Sequence, residues 1–299
     1  TTQVMYAHDH LLSFASEVFN LNLRYKYIQP EYKALGLANI NTDLSQWSIE
    51  PGFKLLGKKL NLNLVLGKQA NNLNQKLITK NNNTIFNLLA TYIPNDRLSA
   101  NVAYSSFGLR TNASDPDKLD SISIQNVSNN ISLNVNYTLS KSTDVIQSLN
   151  VNFSRQGLKE VYEYSPLFDK SFNNVNTLFV YNHNDLKEIS YSFGLNYNNS
   201  YSLFLATQNI KGNVKSYGIN GGASKNLMNE KINLNLNGSF NLAGTEEEKS
   251  QPAFSLGLSF SYALTTKSSL VLSGTTSRMT ISGRAIVQNY FNANITQNF

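Results

Sequence analysis

The chain has 299 residues, of which 41% are hydrophobic and 15% charged, and it contains no cysteine. The lack of cysteine excludes disulfides, thiolate catalysis and thiolate metal sites, while 16 Tyr and 16 Phe are more than a disordered chain carries. The net charge of +6 comes from Lys and Arg scattered singly, without a basic run, which argues against nucleic-acid binding. No stretch of about 18 apolar residues offers a transmembrane helix.

Residues 1–17 show no clean hydrophobic period. We therefore interpret them as a lead-in segment, a plug or a tether, and place the folded domain at 18–299. No charged start followed by an apolar core is visible at Thr1, so an exported protein is expected here in mature or truncated form.

From Phe19 onward the sequence alternates on a two-residue period, which is the pattern of β-strands with one apolar and one polar face. We predict fourteen strands. They lie near residues 19–27, 46–56, 59–69, 83–93, 97–109, 127–139, 145–156, 172–182, 187–206, 214–224, 230–242, 253–264, 268–280 and 285–299. The stretch 187–206 is the weakest part of this count, because it is either one long strand or a hairpin folded at Asn198-Asn199.

Short and long connections alternate between the predicted strands. Tight turns such as Gly57-Lys58 and Pro94–Asp96 follow every second strand, and longer polar loops join the others. This asymmetry is typical of outer-membrane barrels, which have short periplasmic turns and longer extracellular loops. The prediction is an all-β fold: a closed antiparallel transmembrane β-barrel of about fourteen strands with both chain ends on the periplasmic side.

The alternation also assigns side chains to the two faces of the wall. We predict that Leu21, Leu23, Leu62, Leu64, Leu133, Val135 and Ile295 face lipid. We predict that Arg24, Lys26, Asn61, Asn63, Asn134 and Asn136 face the lumen, where Asn, Ser, Thr, Lys and Arg occur in mixed order. Tyrosines near strand ends form two interfacial girdles, including Tyr25, Tyr27, Tyr92, Tyr104, Tyr137 and Tyr262.

A soluble β-sandwich is the competing architecture, since regularly spaced strands with turn signals describe it too. It predicts strands of about 5 to 6 residues and faces rich in Val and Ile. The predicted strands here are longer, and their apolar faces use Leu, Tyr and Phe.

Two segments resemble known membrane proteins. The end of the chain, with Phe291, Ile295 and Phe299 at alternate positions, resembles the closing strand of bacterial outer-membrane barrels, although Gln297 departs from the pattern. Leu23–Tyr32, followed by Leu35-Gly36 and Asn41–Leu44, resembles the first strand and outer loop of porin-like barrels of the Bacteroidota. The resemblance implies an integral protein of the bacterial outer membrane in contact with lipid and lipopolysaccharide.

Candidates for chemistry are few. His8-Asp9-His10 is the only cluster that suggests a metal, but no further ligand completes a site, and His183 lies in a predicted short turn. The acidic run Glu246–Glu248 fits a solvated loop better than a cation site. Gly221-Gly222 fits a strand glycine pair rather than a nucleotide-binding motif. We therefore expect no enzyme, no metal and no cofactor.

Two functions remain open at this level. The first is an accessory or scaffold subunit of a secretion or barrel-insertion machine, with protein partners in the outer membrane. The second is a porin-like passive channel, or a conduit for small or apolar solutes, with residues 1–17 and the Pro30 loop obstructing the lumen. The mixed inward faces show no single-signed selectivity ring, and the sequence favours the scaffold.

Overall fold

A computed structural model describes residues 5–32, 42–114, 123–185, 187, 189–204, 210–228, 231–245, 250–265, 268–281 and 284–297. These residues form one sheet of fifteen antiparallel strands, and each strand pairs with its neighbours in sequence. The strands are β1 Ala7–Ala15, β2 Phe19–Ile28, β3 Leu44–Leu55, β4 Leu60–Ala70, β5 Thr79–Asn95, β6 Leu98–Ala113, β7 Ser123–Lys141, β8 Val145–Tyr162, β9 Lys170–Asp185, β10 Ile189–Phe204, β11 Ile210–Leu227, β12 Ile232–Thr245, β13 Gln251–Thr265, β14 Ser268–Ile281 and β15 Arg284–Gln297. Among the described residues, no helix has the length and apolar character needed to cross a membrane.

The all-β, antiparallel, single-sheet prediction is confirmed, but the count of fourteen is wrong by one strand. The additional strand is β1, which pairs with β2 along its whole length, from Ala7 opposite Ile28 to Ala15 opposite Asn20. Residues 7–15 thus lie in the sheet rather than ahead of it. They were not predicted as a strand because Leu11 and Leu12 are adjacent, which interrupts the alternation of apolar and polar residues. The ambiguous stretch 187–206 holds one strand, since Asn198 and Asn199 both pair within the continuous β10 ladder.

The connections divide the sheet into a short-turn end and a long-loop end. At one end, called the short-turn end, consecutive strands are separated in sequence by the short stretches 16–18, 56–59, 96–97, 142–144, 186–188, 228–231 and 266–267. At the other end, called the long-loop end, they are separated by the longer stretches 29–43, 71–78, 114–122, 163–169, 205–209 and 246–250 and by the short stretch 282–283. Because β1 adds a strand, Ala7 lies at the long-loop end and Gln297 at the short-turn end. The expectation of both ends on one side is therefore wrong for the described residues.

Local chemistry makes the short turns. In the β5–β6 turn, the Asn95 side-chain oxygen accepts hydrogen bonds from the backbone of Arg97 (2.9 Å) and Leu98 (3.0 Å). In the β3–β4 turn, Gly57 adopts φ +64°, a left-handed conformation that costs a glycine little. Such turns fix the register of each hairpin, and the register decides which side chains share a face.

The two faces differ in crowding as well as in polarity. On β3, Ser48 and Gly52 on the polar face are buried, whereas Trp47 and Phe53 on the apolar face are exposed. On β10, Gly194 on the polar face is likewise buried between the exposed Phe193 and Leu195. Side chains crowd on the concave side of a curved sheet and spread apart on the convex side. The polar face is therefore the inner face and the apolar face the outer one.

The sheet has two edges, β1 and β15. Within the described residues, β1 pairs only with β2 and β15 only with β14, so no pairing joins β1 to β15. Tyr290 and Phe291, which point to opposite faces of β15, are 68% and 84% exposed. Every residue of β1 is also exposed. Closure of the sheet into a barrel stays a prediction.

Candidate functional surfaces

The predicted lipid-facing residues lie together on the outer face. Residues directly opposite each other on paired strands share a face, and the register places Ala90, Val102, Leu133 and Phe153 in one row across β5 to β8. Similar rows continue across the sheet and form an apolar belt. Its residues include Leu21, Leu23, Leu62, Leu64, Leu88, Val102, Leu133, Val135, Val151, Phe179, Leu195, Ile219, Leu236, Leu256, Leu272, Ala293 and Ile295.

The belt is much shorter than the longest strands. On β7 it runs from Ile131 to Leu139, about 26 Å of strand, or about 20 Å across a bilayer at a strand tilt near 40°. Towards the long-loop end, the same face of β7 continues with Gln125 and Asn129, and that of β8 with Arg155 and Lys159. The sheet therefore matches a bilayer near its short-turn end, and its longer strands extend beyond the belt at the other end.

Aromatic rings border the belt on both sides. At the short-turn end, the Phe19 ring lies 6.2 Å from that of Phe14 and 5.2 Å from that of Phe53. Towards the long-loop end, Phe86 and Tyr104 meet edge to face at 5.5 Å. Three of the predicted girdle tyrosines lie at the border nearer the long-loop end, namely Tyr25, Tyr27 and Tyr104. The other three lie near the short turns, namely Tyr92, Tyr137 and Tyr262. These are the positions that interfacial girdles occupy.

All three histidines belong to these borders. The ring of His8 lies 4.9 Å from that of His10 and stacks on Tyr27 at 5.3 Å. His183 stacks on Tyr191 at 4.6 Å, and Gln147 lies 3.2 Å from its Nδ1. Asp9 lies on the opposite face from His8 and His10 and is paired with Arg24. The described residues hold no group of three or more His, Asp or Glu that suits a metal ion. Glu246–Glu248 lie outside them.

Away from the strand ends, the charged residues of the described inner face lie on β1, β2 and β3. The predicted lumen residues Arg24, Lys26, Asn61, Asn63, Asn134 and Asn136 all lie on this face. Arg24 donates to both carboxylate oxygens of Asp9, with Nε 2.9 Å from Oδ1. Ser48 donates to Glu50 at 2.9 Å.

From β4 to β15 the described inner face is Asn, Ser, Thr and Gly with some apolar side chains such as Phe107 and Leu158. Charged residues occur there only at strand ends, such as Lys141 and the paired Glu160 and Lys170, whose atoms lie 3.7 Å apart. The expected mixed order of Lys and Arg with polar residues is thus wrong for most of the wall.

The long-loop end contains a hydrogen-bonded cluster around the buried Asn72, which the sequence did not predict. Asn72, which is 0% exposed, donates from its amide to Leu77 O (2.9 Å), Thr79 O (3.0 Å) and Ser114 Oγ (2.6 Å). Its Oδ1 accepts from the Leu77 backbone at 3.0 Å. Asp43 accepts from the backbones of Asn72 and Leu73, both at 2.8 Å. One asparagine therefore ties three loops together, and no pattern distinguished it among so many.

Two of the three residues of the candidate C-terminal barrel signal belong to the described part of the chain. Phe291 and Ile295 lie on the outer face of β15, opposite Gly274 and Leu270. Phe299 lies outside the described residues.

Known proteins resemble this chain in fold but not in sequence. The sequence matches no protein-family model and no curated protein. The fold is similar to that of the FrpB iron transporter from Neisseria meningitidis, with 9% identity and a TM-score of 0.58 over 99% of this chain and 56% of that one. It is similar to BauA, the ferric preacinetobactin receptor from Acinetobacter baumannii, with 9% identity and a TM-score of 0.58 over 95% and 52%.

A third similar structure is the ferric-catecholate import receptor Fiu from E. coli K12, with 10% identity and a TM-score of 0.53 over 98% of this chain and 60% of that one. The chain thus spans little more than half the length of these proteins, all of which are outer-membrane β-barrels. At this identity the likeness shows the fold alone. The chain has the fold of bacterial outer-membrane β-barrel proteins.

Proposed function

We propose that the protein is a non-enzymatic, integral outer-membrane component that acts as an accessory or scaffold subunit, joined to a protein partner through its sheet edges. The observation that carries this proposal is that β1 and β15 each pair on one side only within the described part of the chain. Fifteen antiparallel strands leave β1 and β15 running in the same direction. These two strands therefore cannot close the described sheet by antiparallel pairing with each other.

Free strand edges are costly in a bilayer. Unpaired backbone N–H and C=O groups find no water in the hydrocarbon region, so each unsatisfied group costs several kcal/mol. β1 and β15 both run through the belt, where this cost applies. A wall with this topology needs either a parallel β1–β15 pair or an odd number of added strands. The likeness to about half of several longer barrel chains fits the second solution, whichever chain carries the added strands. A partner barrel strand supplies the missing donors and acceptors by strand addition.

A channel or conduit is the second candidate. The continuous polar inner face favours it, because a closed wall of this kind encloses a polar bore. In that case β1 and β15 pair directly in parallel, and the protein works alone. The two candidates therefore differ in what lies beside β1 and β15.

Cysteine cross-linking tests the scaffold, since the chain has no cysteine of its own. Single Ser13→Cys and Asn292→Cys variants place a thiol on each edge strand, and Ser132→Cys places one on the interior strand β7 as the matched control. A thiol-directed photo-cross-linker is then activated in native membranes. We expect discrete adducts with another outer-membrane protein from both edge variants and none from the Ser132→Cys variant.

Two outcomes would overturn the scaffold. One is an intramolecular disulfide, without any adduct, in a variant that combines Ser13→Cys with Asn292→Cys, Asn294→Cys or Thr296→Cys. This disulfide would show that β1 and β15 lie side by side in a single closed wall. The other is adducts of the chain only with itself. Solute-selective conductance of the purified protein alone in planar bilayers would establish the channel instead.

A further inference from the structure

A groove on the inner face lies across β8 to β13, towards the short-turn end. Its volume is about 720 Å³. Asn, Ser and Gly residues line it together with Ile146, Ala223, His183 and Tyr191, and the lining contains no Asp, Glu, Lys or Arg. The side chains on its inner surface include Ser148, Asn182, Ser192, Asn220, Asn237 and Ser255. Its size falls within the range of small-molecule sites. We propose that this groove binds a short, uncharged, hydroxyl-rich ligand, namely a neutral oligosaccharide.

The lining chemistry selects this class of ligand. An ion entering the groove would lose hydration without meeting an opposite charge, which is unfavourable. An apolar ligand would leave amide and hydroxyl groups without hydrogen-bond partners, and sites built to pair such groups reject analogues that lack them. A neutral sugar offers donors and acceptors at every hydroxyl. Both requirements are therefore met only by a polar, uncharged molecule.

Two amides of the groove are packed against glycines of the neighbouring strands. The Asn220 side chain lies over Gly194, where an added Cβ would come 2.5 Å from its Oδ1, and Asn237 lies over Gly257 in the same way. Ser239 and Ser255 are hydrogen bonded at 2.8 Å. Each glycine thus makes room for an amide from the next strand. Preorganised side chains lose less conformational entropy on binding.

The inference goes beyond the scaffold role and is independent of it, because no edge strand contributes to the groove. The test uses the full chain in detergent micelles and titration calorimetry with maltohexaose, cellohexaose and chitohexaose as neutral probes. Hexagalacturonate serves as the charged probe. We expect at least one neutral probe to bind and hexagalacturonate to bind at least about tenfold more weakly, because its carboxylates find no counter-charge.

Paired variants locate the binding. In the Ser192→Ala/Asn220→Ala variant we expect the dissociation constant of the bound neutral probe to rise by about tenfold or more, since two hydrogen-bonding groups are removed. Ser132→Ala/Asn134→Ala changes the same residue types on the inner face of β7, outside the groove, and should leave binding within about twofold. Circular dichroism checks that both variants are folded, and Ser192→Ala alone replaces the double variant if that one fails to fold.

Three results would overturn the proposal. They are no binding of any neutral probe at about 10 mM ligand, equal binding of hexagalacturonate, or equal losses in the groove and control variants. None of them bears on the cross-linking pattern of the edge strands.

Discussion

Replacing Leu133 by Arg tests the apolar belt most directly. Leu133 lies between Val102 and Phe153, two residues from Val135 at the middle of the belt on β7. At about 3.3 Å per residue and a tilt near 40°, it is about 5 Å from the bilayer centre. Arginine at that depth on a lipid-facing surface costs about 2 to 4 kcal/mol. We therefore expect the free energy of unfolding in phospholipid vesicles to fall by that amount, as measured by denaturant titration with fluorescence of Trp47, the only tryptophan.

Two control variants separate depth from face. Val127→Arg lies on the same face, about 15 Å nearer the long-loop end, and should cost about 0 to 1 kcal/mol because it leaves the hydrocarbon region. Asn134→Arg lies next to Leu133 on the inner face, where water or polar groups surround the charge, and should also cost little. Equal losses for Leu133→Arg and Val127→Arg would refute the belt, and a larger loss for Asn134→Arg would show that the faces are reversed.

Three further outcomes are expected. Trp47 is 44% exposed and lies beside Tyr25 at the border of the belt nearer the long-loop end. Its fluorescence should therefore be quenched more by lipids brominated near the headgroup than by lipids brominated near the chain ends. The order should reverse in the Trp47→Phe/Ile49→Trp variant. Asn72→Ala should speed amide exchange at Leu77 by about 5- to 150-fold, because about 1 to 3 kcal/mol of local stability is lost, whereas Asn74→Ala, which loses one 3.2 Å bond to Lys76, should change it little. A membrane-impermeant maleimide should label Lys76→Cys but not Thr143→Cys on intact cells if the long loops are extracellular, and labelling only of Thr143→Cys would invert the orientation.

Alternation identified the strands wherever one face is apolar. The predicted limits of 46–56 and 59–69 lie close to β3 and β4, which are scarcely longer than the belt. On the longer strands the predicted limits fall short, as for 145–156 against Val145–Tyr162 and 172–182 against Lys170–Asp185. Beyond the belt both faces are polar, so the sequence pattern fades while the backbone ladder continues. Sequence therefore located the belt better than the strands.

The features that the sequence did not disclose depend on contacts between distant segments. Asn72 differs from other asparagines only because Asp43 and Ser114 come to it from two other loops. The groove depends on which Asn lies over which Gly across a strand pair, as Asn220 does over Gly194. Both are consequences of register and curvature. A sequence so rich in Asn gives no local sign of them.

The distribution of charge makes the two sheet edges chemically different. Asp9, Arg24, Lys26 and Glu50 place ionic groups on the inner face beside the β1 edge, and Asp9 and Arg24 already neutralise each other. The β15 edge presents uncharged Asn292 and Asn294 on the same face. Direct pairing of β1 with β15, in one chain or between copies, would set the ionic groups of the first three strands beside Asn292 and Asn294, which carry no charge. We therefore expect the two edges to accept different neighbours, so the Ser13→Cys and Asn292→Cys variants should give different adducts.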